Sequence, residues 1–255
     1  YPENGCGSGL PASTKSVNIY NQLDGGVIAG NQTICYNADV AAFTSTTAAS
    51  GGAGSFTYTW QWTTNMGAVA GDGNWTDIPA SNNVVWDYGT LTTTTRFIRK
   101  AVEGTCTTPV YSNILLVTVR PVLDGGVIAG NQTICYGADV AAFTSTTAAS
   151  GGAGVFTYTW QYTTNMGAVI GDGSWTNIPA SNNVVWDYGT LTTTTRFVRR
   201  AVEGTCITPV YSNDVTITVR PILAGGVIAG NQTICYGADV TAFTNTTAAS
   251  GGAGS

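Results

Sequence analysis

Six cysteines are the residues of this sequence best able to do chemistry, and the chemistry they offer is cross-linking. Cys35 and Cys106 recur as Cys135 and Cys206, with Cys6 before them and Cys235 after. An even count at fixed spacing in a chain of low charge points to disulfides and an oxidising compartment. The favoured pairing lies within each repeat, Cys35 with Cys106 and Cys135 with Cys206. Cys6 and Cys235 then pair outside this stretch or between subunits. A 71-residue loop closed in this way would stabilise the fold by about 4 kcal/mol through the entropy of the unfolded chain. A rival scheme joins Cys6–Cys35, Cys106–Cys135 and Cys206–Cys235, and a third reading leaves buried free thiols. A zinc site is not expected, because there is no histidine and no paired CxxC spacing.

Other chemistry is thinly represented. Without histidine, a Ser-His-Asp or Cys-His arrangement is excluded, and no catalytic, metal or cofactor residues are assigned. Asp72, Asn74 and Asp77 lie in a Gly-rich segment and could ligate calcium through oxygen. The second repeat carries Asp172, Ser174 and Asn177 instead, so a turn built on Asp and Gly is the better reading. Trp60, Trp62, Trp75 and Trp86 could stack on sugars. Alternation instead places Trp60 and Trp62 on a core face. Arg96, Arg99 and Lys100 read as a solvated strand face with weak ion pairs. Asn31, Asn74, Asn131, Asn231 and Asn245 begin N-x-S/T sequons, at which no glycan is expected.

The elements that position these residues repeat with a period of 100. The string LDGGVIAGNQTICYNADVAAFTSTTAASGGAG begins at Leu23 and returns at Leu123 with one change and at Leu223 with a few more. Residues 23–122 and 123–222 differ at fourteen positions. Residues 1–22 align with 101–122, the closing strands of a preceding repeat, and 223–255 with the opening strands of a further one. No helical period is sustained. Phe56, Tyr58, Trp60 and Trp62 alternate with Thr57, Thr59 and Gln61, and Phe156, Tyr158, Trp160 and Tyr162 do the same in the second repeat, giving a core aromatic face. Val215, Ile217 and Val219 alternate similarly. Further strands are expected over 26–29, 32–36, 40–47, 74–78, 84–88 and 94–102, punctuated by Gly, Asn, Pro and Ser. Seven or eight short antiparallel strands in about 100 residues predict an all-β fold of tandem immunoglobulin-like sandwiches. A short linker holding Pro121 predicts end-to-end stacking.

Composition sets the class. Charged residues make up 9% of the chain against about 25% in an ordinary soluble domain. Thr, Ser, Asn and Gly take the surface places, which suits an extracellular protein. A net charge of −5 argues against nucleic acid. No apolar run reaches the roughly 20 residues that insert into a membrane.

The strings GGVIAGNQTICYGADV, FTYTWQ, the run around GTLTTTTRF and VEGTC, and VTITVRP together resemble the immunoglobulin-like repeats of giant Bacteroidota cell-surface adhesins. These include the SprB-like gliding adhesins exported by the type IX system. The resemblance implies a β-sandwich, a secreted or surface-attached location, and a part in adhesion, gliding or fibres, with no catalytic residues. The expected function is a structural extracellular fibre or adhesin stalk, with further copies of the repeat or subunit as partners. Surface glycans or other cells are further expected partners, and a multivalent carbohydrate-binding array is the alternative.

Overall fold

A computed structural model describes residues 14–253. The chain forms two compact units, Tyr1–Val119 and Arg120–Ser255. Cys6 and most of the 1–22 segment lie outside the described residues. Residues 14–22 form no strand.

The first unit contains β1 (Val27–Ala29), β2 (Gln32–Ile34), β3 (Ala38–Val40), β4 (Thr44–Thr47), β5 (Phe56–Thr63), β6 (Thr76–Asp77), β7 (Gly89–Leu91), β8 (Thr95–Glu103), β9 (Val110–Tyr111) and β10 (Leu115–Val119). One sheet runs β2-β10-β8-β5-β6, with β9 also on β8. It is antiparallel except at β2, which lies parallel to β10. The opposite layer pairs β1 with β4 and β3 with β7. This is an immunoglobulin-like sandwich.

Alternation along the central strands builds the core. Phe97 and Thr95 of β8 face inward beside Leu115 and Val117 of β10, and Trp60 of β5 lies opposite Arg99. Ile28, Val40, Phe43, Trp60, Leu91, Phe97, Leu115 and Val117 form one buried cluster. Phe43 stacks on Trp60 with ring centroids 5.5 Å apart and meets Phe97 at 4.7 Å. In antibody domains a tryptophan on this strand packs against a disulfide joining the two sheets. Here the buried tryptophan packs on Phe43, which in turn meets Phe97.

The second unit repeats the plan with β11 (Val127–Ala129), β12 (Gln132–Ile134), β13 (Asp139–Val140), β14 (Thr144–Thr147), β15 (Phe156–Thr163), β16 (Thr176–Asn177), β17 (Gly189–Thr190), β18 (Thr195–Glu203) and β19 (Val210–Val219). It continues into β20 (Val227–Ala229) and β21 (Thr244–Thr247), which pair as β1 and β4 do.

Two strand expectations need correction. The run 84–88 is not a strand, and the ladder partner of β3 is Gly89–Leu91. Val84 and Val85 suggested a strand by residue type, but the Val84 carbonyl accepts a bond from Arg99 and Trp86 makes only an isolated bridge to Phe43. The run 40–47 is broken at 41–43, where that bridge forms and Gln32 caps Ala41 through its side-chain amide.

Candidate functional site

The cysteines lie at the ends, or poles, of each sandwich. In the first unit Ile34 of β2 stands opposite Val119 of β10, so Cys35 sits at the C-terminal pole, where the chain leaves. From its pairing of Thr95 with Val117, β8 runs antiparallel to β10 toward Glu103. Its nine residues carry the chain about 26 Å to the N-terminal pole, at about 3.3 Å per residue. Cys106 follows there.

A disulfide requires Cα atoms within about 7 Å. The favoured pairing Cys35–Cys106 is therefore not formed, and Cys135–Cys206 is separated in the same way. Cys106, Cys135 and Cys235 are free thiols, so the rival pairs Cys106–Cys135 and Cys206–Cys235 are not formed either. Cys35 and Cys206 are each disulfide-bonded.

The N-terminal pole is organised by a buried carboxylate. Glu103 Oε2 accepts the N–H groups of Thr105 at 2.8 Å and Cys106 at 2.7 Å. Glu203 does the same for Thr205 at 2.9 Å and Cys206 at 2.6 Å. These donors hold both carboxyls below the usual range: the Cys106 or Cys206 N–H is the largest cause, and burial opposes it. Gly52 lies against Glu103 so closely that a Cβ would stand 2.8 Å from its Cγ, and φ there is +59°. A glycine is required on both counts.

Between the poles, the two layers are joined by a buried guanidinium. Arg99 is inaccessible to solvent. It donates to Ser45 Oγ at 2.7 Å and to the carbonyls of Val84 at 3.1 Å, Gly25 at 3.2 Å and Thr47 at 3.3 Å. Tyr58 covers its face, with the guanidinium 4.8 Å from the ring centroid. Burial lowers its pKa and Tyr58 partly opposes that shift. Arg199 makes the corresponding contacts with Ser145, Val184, Gly125, Thr147 and Tyr158. The solvated position expected of Arg99 is thus corrected, while Lys100 forms a weak ion pair with Asp77. A strand period places Arg99 in phase with Phe97, which was the available sign that it points inward.

The family model described as a domain of unknown function (DUF8696) matches residues 24–121 and again 124–221. The chain belongs to this family. Each DUF8696 copy in it holds one complete sandwich, with one cysteine near each pole. A search of curated proteins gives no match. Among solved structures, the chain is similar to the three N-terminal domains of the bacteriophage RB49 highly immunogenic outer capsid protein (Hoc). That match has 8% identity, 79% of this chain and 69% of that one covered, and a TM-score of 0.37. It is also similar to Sidekick-1 immunoglobulin domains 1–5, at 14% identity, 89% and 44% coverage and a TM-score of 0.30. For Sidekick-1 domains 1–4 the figures are 12%, 81% and 54%, and 0.26. The chain spans about half the length of these two Sidekick-1 chains.

The other candidates in the DUF8696 copies are structural. Asp72 closes its own turn, accepting from Val69 N at 2.8 Å and Asn74 N at 2.9 Å. Its carboxyl is held low, chiefly by the Asn74 side chain. Asp77 turns instead to Gln61 and to Lys100 at 3.3 Å. Asp72 and Asn74 are therefore engaged with each other and Asp77 elsewhere. No cluster of three or more His, Cys, Asp or Glu able to hold a metal occurs among the described residues.

Trp60 and Trp160 are fully buried, Trp175 nearly so, and Trp62, Trp75, Trp86 and Trp186 are partly buried. Trp75 donates to the Val69 carbonyl at 2.8 Å, and Arg96 lies over its ring at 6.0 Å. The exposed stacking platform that a sugar site needs is not formed by these tryptophans. Of the remaining core aromatics, Tyr162 packs against the core as Trp62 does. Phe56, Tyr58, Phe156 and Tyr158 are half-buried toward the N-terminal pole, where Phe56 stands opposite Glu103 and Phe156 opposite Glu203.

Proposed function

We propose that the protein is a load-bearing spacer in an extracellular or cell-surface fibre, built from near-identical repeats and holding an adhesive element away from the cell. The observation that carries this reading is the parallel pair formed by the second and the last strand of each repeat. Val117, Thr118 and Val119 lie beside Gln32, Thr33 and Ile34, and Ile217, Thr218 and Val219 beside Gln132, Thr133 and Ile134. Once the short β1–β4 pair has yielded, tension reaches β2 from its N-terminal end and β10 from its C-terminal end. The strands are parallel, so that pull slides one along the other and loads their hydrogen bonds together. A hairpin pulled apart from its open end breaks its bonds one at a time.

The distribution of differences agrees. The Phe–Trp stack, the buried arginine and the Glu–Cys turn are the same in both repeats. Several changes fall where contacts are interchangeable: Asp77 and Lys100 form an ion pair in the first repeat, and Arg196 and Asp214 form one at 2.9 Å in the second. A spacer needs such internal construction repeated and makes no demand for a common exposed ligand site. The resemblance to type IX-exported Bacteroidota adhesin repeats supports an outward destination, as do disulfide-bonded cysteines. Among the described residues no helix is long and apolar enough to cross a membrane.

The test is labelling of intact source cells with an antibody raised against the repeat. The reading expects decorated surface filaments, lost when type IX export is disabled. Labelling found only after the cells are opened would contradict it.

A further inference from the structure

We propose that the Ser-Gly-Gly loop of each repeat is a clamp that locks the linker entering that repeat, making the linker an ordered strut and not a hinge. Its side chains give no reason for order: Val122 is 61% exposed, Ile222 65% and Leu223 77%. Backbone bonds hold the segment instead. In the second unit Asp124 and Ser150 exchange two N–H···O bonds, at 2.9 and 3.0 Å, and Gly152 donates to the Pro121 carbonyl at 2.9 Å. Ala224 and Ser250 exchange the same bonds, both at 2.9 Å, and Gly252 donates to the Pro221 carbonyl at 2.9 Å. In the first unit the bonds run between Asp24 and Ser50 and from Gly52 N to the Asn21 carbonyl. Asp24 and Asp124 give way to Ala224 and the bonds remain, so the backbone makes the clamp.

The residue at the middle of the clamp has to be glycine. A Cβ on Gly151 would stand 2.0 Å from the Val122 carbonyl oxygen, and φ there is +93°. For Gly251 the values are 2.0 Å from the Ile222 carbonyl oxygen and +92°, and for Gly51 they are 2.1 Å from that of Gln22 and +93°. Only a residue without a Cβ allows this approach. A linker carbonyl thus lies directly against the loop at three successive repeats. Behind the clamp of the second repeat, Gly152 packs on the Glu203 side chain, and Arg120 acts electrostatically on the same carboxylate.

Little chain is left free. Wholly within the second unit, Val219 pairs with Ile134, and Arg220 N donates to the Ile134 carbonyl at 2.9 Å. Pro221 follows, held by Gly252, with its own φ fixed near about −65° by the ring. Ala224 is held by Ser250. Ile222 and Leu223 alone stand between these residues, and the Ile222 carbonyl is the one that Gly251 covers. A flexible tether needs a run of residues free of such bonds. For a spacer, the length that each repeat adds is then not lost to bending at its entry.

Nitrogen-15 relaxation of the whole chain tests the clamp, comparing the amides of Val122, Leu123, Ile222 and Leu223 with those of β8 and β18. The expected result is an order parameter of about 0.85 at all four linker amides, as in rigid backbone. Gly151→Ala should bring Val122 and Leu123 below about 0.6 and leave Ile222 and Leu223 unchanged. Gly154→Ala is the control: φ there is +84°, but a Cβ would meet nothing within 4 Å, so the linker should keep its order. Linker amides below about 0.6 in the wild-type chain, or a linker that stays rigid in folded Gly151→Ala, would overturn the clamp. The wild-type measurement alone can do so, whether or not the variant folds. Order in solution is decided separately from the cell-surface location, so failure of one leaves the other standing.

Discussion

Arg99 carries a charge between two sheets, and its hydrogen-bond partners are one hydroxyl and three backbone carbonyls. Lysine would keep the charge but lose the planar fork that reaches several acceptors at once. Buried carbonyls left without donors are costly. Arg99→Lys together with Arg199→Lys should destabilise each repeat by about 3 kcal/mol, read as a lower midpoint in urea. The single variant should split the curve into two steps.

Glu103 and Glu203 have folded pKa values below the unfolded value of about 4.3. Their stabilisation is therefore present above that pH and lost as pH falls through the lower folded value. Acid titration followed by tryptophan fluorescence should show this loss, and Glu103→Gln with Glu203→Gln should flatten the dependence. Ala80 and Ala180 occupy left-handed backbone, at φ of 58° and 57°, which disfavours side chains with a Cβ. Ala80→Gly should raise stability by about 0.5 kcal/mol, after the entropy that glycine adds to the unfolded chain. The residue spacing of Arg99 was legible as an inward position, but its charge suggested solvent. What decided the matter was a set of carbonyls from strands distant in sequence.

At the scale of strands, β5 was the most legible element. The alternation of Phe56 to Trp62 located it, and Trp60 is buried as that pattern required. The pattern could not grade burial along the strand: Phe56 and Tyr58 lie toward the polar N-terminal pole and remain half-buried. The cysteines were legible as cross-linkers. Their partners were not, because pairing depends on which pole each strand reaches, and that follows from the direction of β8 relative to β2. Phe43 and Phe97 are fully buried and apolar, so their contribution comes entirely from packing. Phe43→Ala should cost about 3–5 kcal/mol, seen as loss of the first repeat's transition in thermal unfolding while the second persists. Equal weakening of both transitions would contradict the independence of the two cores.

For the whole molecule, the 100-residue period made the tandem organisation plain from sequence. Mechanical role was not legible there, because no residue type marks a strand as parallel to its neighbour. The pairing of β2 with β10 does so, and the proposed load-bearing role rests on it. That role is tested most directly by single-molecule pulling on the reduced chain in two geometries. Handles at the two ends pull β2 and β10 along each other. Handles at Cys35 and residue 120, with the other cysteines replaced by serine, peel the same pair apart from the C-terminal pole. A load-bearing pair gives a clearly higher unfolding force for the first repeat in the end-to-end geometry. Equal forces, or a higher force on peeling, would contradict it.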